Sequence, residues 1–297
     1  MSLFSLLGAV EIGLIFALVS LGVFISFRLL RFPDLTVDGS FPLGGAVCAV
    51  MISKGFDPYT ATIAGTLAGA VAGLITGWLN VRLKIMDLLA SILMMIALFS
   101  VNLRIMGGPN IPLINDPTVF NQLQPAGMDD FWWRPALLLL IVVGCKFITD
   151  WFFSTERGLA IRATGSNTRM ARAQGINTGA MVLLGMAFSN ALVGLAGALF
   201  AQTQGGADIS MGIGTIVIGL AAVIVGESII FSRRIVLATL GAIVGAIVYR
   251  FFIAMALNSD FIGLKAQDLN LVTAVLVTIA LIIPQLKRKT AEAPRSL

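Results

Sequence analysis

The sequence contains no histidine, and its 297 residues include only two cysteines. Without imidazole the chain lacks the commonest metal ligand and the usual acid–base group near neutral pH. Cys48 and Cys145 lie in apolar runs without redox or metal spacing, so they read as inert packing residues and no metal site is expected. Charge is scarce too, at 12% of residues against about 25% in an ordinary soluble domain. No Gly-x-x-x-x-Gly-Lys-Ser/Thr loop occurs, which excludes ATP binding of the Walker type on this chain. Gly-x-Ser-x-Gly, His-Glu-x-x-His and paired-carboxylate patterns are missing as well, so neither catalytic residues nor a bound cofactor are expected. The first residues, MSLFSLLGAVEIGLIFALVSLGVF, lack the basic stretch of a signal peptide and read as a retained first span.

What the chain does have is apolar length. Hydrophobic residues make up 58% of it, with 31 glycines and a mean hydropathy of +0.96. A soluble fold has too little polar surface to cover that much apolar area, so the solvent is lipid. A helix needs about 20 residues to cross the hydrocarbon. Nine candidate spans meet that need, at 5–27, 35–53, 60–81, 87–104, 134–151, 179–202, 210–231, 235–257 and 268–285. The fold expected is an all-α polytopic membrane protein, one transmembrane domain over 1–297 with no soluble domain.

Lys and Arg are distributed unevenly between the two ends of these spans. With the N-terminus outside, the inner side holds Arg28, Arg31, Arg82, Lys84, Lys146, Arg157, Arg162, Arg169, Arg172, Arg233, Arg234, Lys287, Arg288, Lys289 and Arg295, fifteen of twenty. Lys54, Arg104, Arg134, Arg250 and Lys265 remain on the outer side. The positive-inside rule selects this orientation and makes 286–297 a cytoplasmic tail. The net charge of +5 is thus a membrane-face bias, and no nucleic-acid partner is expected. Trp132, Trp133 and Trp151 bracket the fifth span as interface anchors.

The two halves echo each other. DLTVDGSFPLGGAVCAV from Asp34 resembles DISMGIGTIVIGLAAVI from Asp208, and DLLASILMMIAL from Asp87 resembles DLNLVTAVLVTIAL from Asp268. The paired spans run in opposite directions, so spans one to four and six to nine form an inverted repeat, an arrangement of transporters. Gly65, Gly69, Gly73 and Gly77, and again Gly241 and Gly245, form stripes suited to close helix packing. In RFPDLTVDGSFPLGG, Pro42, Gly44 and Gly45 predict a break in the second span. Such a break is tolerated beside protein or water. Thr36, Asp38 and Ser40, with Ser210, Gly212 and Gly214 from the matching stretch, are the candidate residues of a translocation path. The alternative is that Asp38 or Ser40 merely caps its own helix. Asn80, Asn102, Asn190 and Glu227 are further polar groups in or near spans, Glu227 with Arg233 or Arg234 as its expected partner. The stretch from Arg104 to Trp133 is rich in proline and either receives an outer partner or caps the bundle.

Between spans five and six lies STERGLAIRATGSNTRMARAQGIN, residues 154–177, polar and carrying four arginines. It predicts two short helices, the first capped by Ser154 or Thr155 and ended by Gly165, the second begun at Ser166 or Asn167 and stopped at Gly175. Alanines 160, 163, 171 and 173 permit close seating on a partner surface.

This segment resembles the cytoplasmic coupling segment of ABC importer permeases of the branched-chain amino acid and ribose type. There a Gly-x-x-x-Arg-Ala run precedes an Ala-Arg-x-x-Gly-Ile-Asn run, supplied here by Gly158, Arg162 and Ala163 and by Ala171, Arg172, Gly175, Ile176 and Asn177. FPDLTVDGSFPLGGA is most similar to the tryptophan/tyrosine permease subgroup. The resemblance implies a permease subunit in the inner membrane for an ATP-driven importer of amino acids, aromatic or branched-chain. It further implies cytoplasmic ATPase subunits that hold the ATP, a second permease subunit and an extracytoplasmic substrate-binding protein. Glu156, Arg157, Gly158, Arg162, Ala163, Asn167, Ala171, Arg172 and Gly175 would couple to the ATPase. A gradient-driven secondary transporter, or an importer of the same class carrying a sugar or nucleoside, are the alternatives.

Overall fold

A computed structural model describes residues 3–257, apart from 115, 126–128, 231 and 233, together with positions 275 and 278. Apart from those two positions the expected ninth span at 268–285 lies outside the described residues, as do the tail 286–297 and Arg233. The described helices are α1 (Leu3–Val23), α2 (Val37–Ser53), α3 (Pro58–Leu83), α4 (Asp87–Met106), α5 (Val119–Gln122), α6 (Asp130–Ser154), α7 (Glu156–Ser166), α8 (Thr168–Ala173), α9 (Thr178–Gln204), α10 (Thr215–Ile229) and α11 (Ile235–Leu257). A π-helical turn, Phe24–Leu29, extends α1, and a 3₁₀ turn, Ile209–Gly212, precedes α10. Two three-residue strands, β1 (Asn110–Pro112) and β2 (Gly206–Asp208), pair antiparallel. The chain is an all-α polytopic membrane protein: seven described helical segments are long and apolar enough to cross a bilayer, and α2 is a shorter apolar helix. Together they account for the first eight expected spans.

Helices α1 and α9 run through the core. From Leu14 to Ile25 nearly every side chain of α1 and its π turn is buried, including Ile15, Leu18 and Leu21 at 0% exposure. Such a helix, apolar all round, must be surrounded by others. By contrast α3, α4 and α6 each present a ridge of exposed apolar side chains, among them Leu67 and Trp78, Leu93 and Phe99, and Leu140 and Phe147. In a membrane these ridges meet lipid or another protein rather than water.

The glycine stripes explain how the backbones approach. A Cβ on Gly69 would lie 2.3 Å from the Asn190 carbonyl oxygen and one on Gly73 would lie 2.2 Å from that of Met186, so α3 is seated directly on α9. On the other side of the molecule a Cβ on Gly226 or Gly245 would lie 2.0 Å from the carbonyl of Gly241 or Ala222, which locks α10 to α11. Helix α9 lies against α2 and α3, and α1 lies against α10 and α11. The first helix of each expected repeat unit thus lies against the second and third of the other. Polar ties join the two sets: Ser189 Oγ donates to the Gly22 carbonyl (2.7 Å) and Ser20 Oγ to that of Ala242 (2.9 Å).

The strand pair relates the ends of the bundle. β1 follows α4 and β2 follows α9, so α4 and α9 finish at one end, while α7 and α8 stand at the opposite, basic end. At the basic end Arg28 of the π turn pairs with Glu227 at 2.7 Å. Glu227 was expected to pair with Arg233 or Arg234. The π turn brings Arg28 to α10 first. Deeper in, Lys146 pairs with Asp150 on α6, and Thr239 Oγ1 of α11 donates to the other Asp150 oxygen at 2.7 Å.

Candidate functional site

The second span departs from the sequence expectation in a way that creates the site. Its helix is not broken at Pro42, Gly44 or Gly45; α2 continues through them. The non-helical stretch is Leu30–Thr36, ahead of the helix, and it carries the chain from the basic end into the bundle. There it is held by buried side chains. Asp34 is 1% exposed and accepts from its own chain at Thr36 N (3.0 Å) and from Asn190 Nδ2 (2.7 Å), a residue halfway along α9. Thr36 Oγ1 shares a hydrogen bond with Thr76 Oγ1 of α3 at 2.8 Å. Helix α2 therefore begins inside the bundle rather than at its surface.

Helix α10 begins in the same place. Its N-cap, Gly214, has a φ of +80° and no side chain with which to cap. The Asp38 carboxylate performs that task across the chain: Gly214 N donates to Oδ2 (3.3 Å) and Ile216 N to Oδ1 (2.7 Å). Asp38 thus caps α10 and not its own helix. Two helix N-termini, each carrying partial positive charge, converge on one carboxylate. A carboxylate tolerates a place inside the bundle because it is bonded there. Pro42 supplies no N–H to the Asp38 carbonyl four residues earlier, and Gly212 packs on that bare carbonyl and on the Pro42 ring, leaving no space for a Cβ.

Of the six expected path residues, Asp38, Gly212 and Gly214 therefore meet at one point. Thr36 is turned to α3. Ser40 is fully buried and its hydroxyl has no partner among the described residues. Ser210 is exposed on the 3₁₀ turn, where its N–H and hydroxyl both bond Asp208. Those bonds, led by the hydroxyl, hold the Asp208 carboxyl below the usual carboxylate range. Beside Asp38 opens a crevice of about 440 Å³ lined by Gly39, Pro42, Met95, Ile96, Phe99, Ser100, Asn102, Ile209 and Ile213. Sequence reasoning singled out Asn102 only as a polar residue in an apolar run. Met95 and Phe99 carried no signal, because the α4 face that meets α2 is set by tertiary packing.

At the basic end, α7 and α8 form as the caps predict. Thr155 Oγ1 accepts from Gly158 N (3.4 Å) and Asn167 Oδ1 from Met170 N (3.0 Å). Asn177 repeats the motif for α9, accepting from Ala180 N at 3.2 Å. Gly165 does not end α7, which runs on to Ser166. It lies instead against the π turn, where a Cβ would come 1.9 Å from the Leu29 carbonyl. Gly175, with φ +82°, closes α8 as expected. Gly158 is buried with its Cβ position 2.3 Å from the Phe152 carbonyl, so its smallness serves the chain's own packing. Ala171 is also buried, and Arg162 and Ala163 are half-buried. Glu156, Arg157, Asn167, Arg172 and Gly175 are exposed, as are the apolar Leu159 and Met170. Ala163, Ser166, Met170 and Ala171 border a hollow of about 230 Å³ between α7 and α8. Arg172 Nε donates to Thr178 Oγ1 at 2.8 Å and lines a larger groove of about 560 Å³ with Lys84, Asn80 and Asp87.

A bundle of membrane helices, two of which start inside it, with a small polar domain of short helices at one end, defines a membrane permease. The chain belongs to the branched-chain amino acid transport system/permease component family, whose model matches residues 5–283. It is 37% identical over 266 residues to a tyrosine transport system permease protein of Clostridioides difficile (strain R20291), covering 89% of this chain and 86% of that one. An uncharacterised protein of Rickettsia prowazekii (strain Madrid E) is 33% identical, over 93% and 96% of the two chains. A galactofuranose transporter permease protein of Escherichia coli (strain K12) is 28% identical, over 86% and 72%.

Proposed function

We propose that this permease is the membrane subunit of an ATP-driven, binding-protein-dependent importer of amino acids, aromatic ones in particular, and works as a pair of such subunits in the inner membrane. The observation that carries the ATP-driven reading is the α7–α8 unit. Its caps and its glycine contact with the π turn make it rigid. Its surface combines exposed arginines with the exposed apolar Leu159 and Met170, a mixture that suits docking on a protein. Through Gly165 and Gly158 it is seated on the end of α1 and on α6, so a push on it reaches the core helix directly. A channel or gradient-driven carrier gives no reason for such a unit. The amino-acid reading draws on the tyrosine system relative and on the carboxylate in the interior.

In this mechanism cytoplasmic ATPase subunits bind ATP and move α7–α8, and the junction of α2 and α10 at Asp38 transmits the movement between the two halves. The test is association. Tagged permease solubilised from native membranes brings down an ATPase subunit, and Leu159→Glu or Ala163→Trp reduces that recovery while leaving the permease at its normal level and thermal midpoint. Full recovery of the ATPase with both variants removes the docking role.

A further inference from the structure

The acceptors around the crevice beside Asp38 outnumber the donors that reach them. Asn102 is 0% exposed. Its Nδ2 is committed to the Gly39 carbonyl at 3.2 Å, and its Oδ1 has no donor among the described residues. The Gly39 bond fixes the amide orientation, since a flipped Asn102 would set two oxygens face to face. Buried amide oxygens in native structures are paired, so this one calls for a donor beyond the described residues. The Asp38 oxygens each take one backbone N–H and keep lone pairs for a further donor. No Lys or Arg lines the crevice, and apart from Ser100 its walls are apolar, with Met95 and Phe99 at one side.

A carboxylate and an amide oxygen with no cation, set in an apolar wall, match a ligand with an ammonium group on an apolar body. Lipid chains offer no donor. A sugar would leave most of its hydroxyls against Met95, Phe99 and Ile213. The volume of about 440 Å³ accommodates an aromatic side chain, and Phe99 and Met95 are suited to contact a ring.

We propose that this crevice is a substrate subsite within the permease itself, which holds the ammonium group of an aromatic amino acid through the Asp38 carboxylate and Asn102 Oδ1. The inference rests on the amino-acid reading above and adds to it that the permease selects, as well as conducts. Asp38 keeps its capping role, so the same carboxylate senses the substrate and holds the two halves together.

The test uses the purified full-length permease in lipid nanodiscs, with tritiated tyrosine as the probe. Wild type is expected to bind it, with tyramine competing and 3-(4-hydroxyphenyl)propionate, which lacks the amine, competing at least about tenfold less well, as loss of one charged hydrogen bond requires. Ile96 is an exposed crevice residue, so Ile96→Trp fills the space without disturbing the core and is expected to abolish binding. Asn102→Leu is expected to weaken it by about tenfold or more. Failure of wild type to bind, equal competition by the two analogues, or unchanged binding in Ile96→Trp overturns the subsite. ATP-dependent tyrosine uptake by the wild-type importer alongside such a failure leaves the importer reading intact. Uptake of no amino acid at all removes that reading too.

Discussion

Asp38 shows how far a single residue was legible. A carboxylate among Gly, Ser and Pro at the start of an apolar run signals either a cap or a path, and both readings follow from the residue types alone. That its donors are the N–H groups of Gly214 and Ile216, in the other half of the chain, is a tertiary fact that no local pattern contains. The bond geometry predicts an ordered series. Asp38→Ala leaves two interior N–H groups without acceptors and is expected to cost on the order of 2 kcal/mol or more. Asp38→Asn keeps one acceptor for the two N–H groups and is expected to cost less than Asp38→Ala, on the order of 1 kcal/mol. Thermal midpoints in detergent check the order, and equal losses in the two variants contradict the cap. Gly165 and Gly175 make a second pair. Gly165→Ala drives a methyl into the Leu29 carbonyl and is expected to cost about 1–3 kcal/mol. Gly175→Ala meets no neighbour but strains a left-handed residue by about 1–2 kcal/mol. Melting curves that rank both variants with wild type refute this packing.

Among the elements, the periodic ones were the most readable. Long apolar runs with turn residues between them located α1, α3, α4, α6, α9, α10 and α11 within a few residues, because lipid demands both length and continuity. The caps of α7 and α8 were legible to within a pair of residues each, Ser154 or Thr155 and Ser166 or Asn167, from local residue type. Two things were not. The π turn carried no local signal, and the non-helical Leu30–Thr36 stretch is held by Asn190 and Thr76, which lie far along the chain. Gly165 looked like a helix stop because glycine in a helix is usually unfavourable, whereas here close approach to Leu29 outweighs that preference. The stripe on α3 supports a prediction for a whole element. Gly69→Leu or Gly73→Leu pushes α3 off α9, where even a Cβ would lie within 2.3 Å of a carbonyl oxygen. Loss of folded protein from the membrane is expected, with Gly144→Leu, which meets nothing within 4 Å, as the tolerated control. Normal yield of both α3 variants contradicts the packing.

For the whole molecule, the basic asymmetry and the faint echo between halves pointed to a transporter with α7 and α8 on the cytoplasmic side. In the structure α9 lies on α2 and α3, and α1 on α10 and α11. Sidedness is testable in a variant lacking Cys48 and Cys145 with Ser166→Cys, on exposed ground. A membrane-impermeant maleimide is expected to label it in inverted vesicles and not in intact cells; the opposite pattern reverses the topology. Composition could not disclose the substrate, because the proposed subsite consists of a few interior groups, Asp38 and Asn102 among them, rather than the apolar bulk. The central claim is ATP-driven amino-acid uptake through this chain, and reconstitution tests it most directly. Proteoliposomes holding the permease with its ATPase and binding protein are expected to accumulate labelled tyrosine only when ATP is supplied on the ATPase side, with dissipation of ion gradients having no effect. Accumulation by the permease alone, driven by an ion gradient and indifferent to ATP, would contradict it.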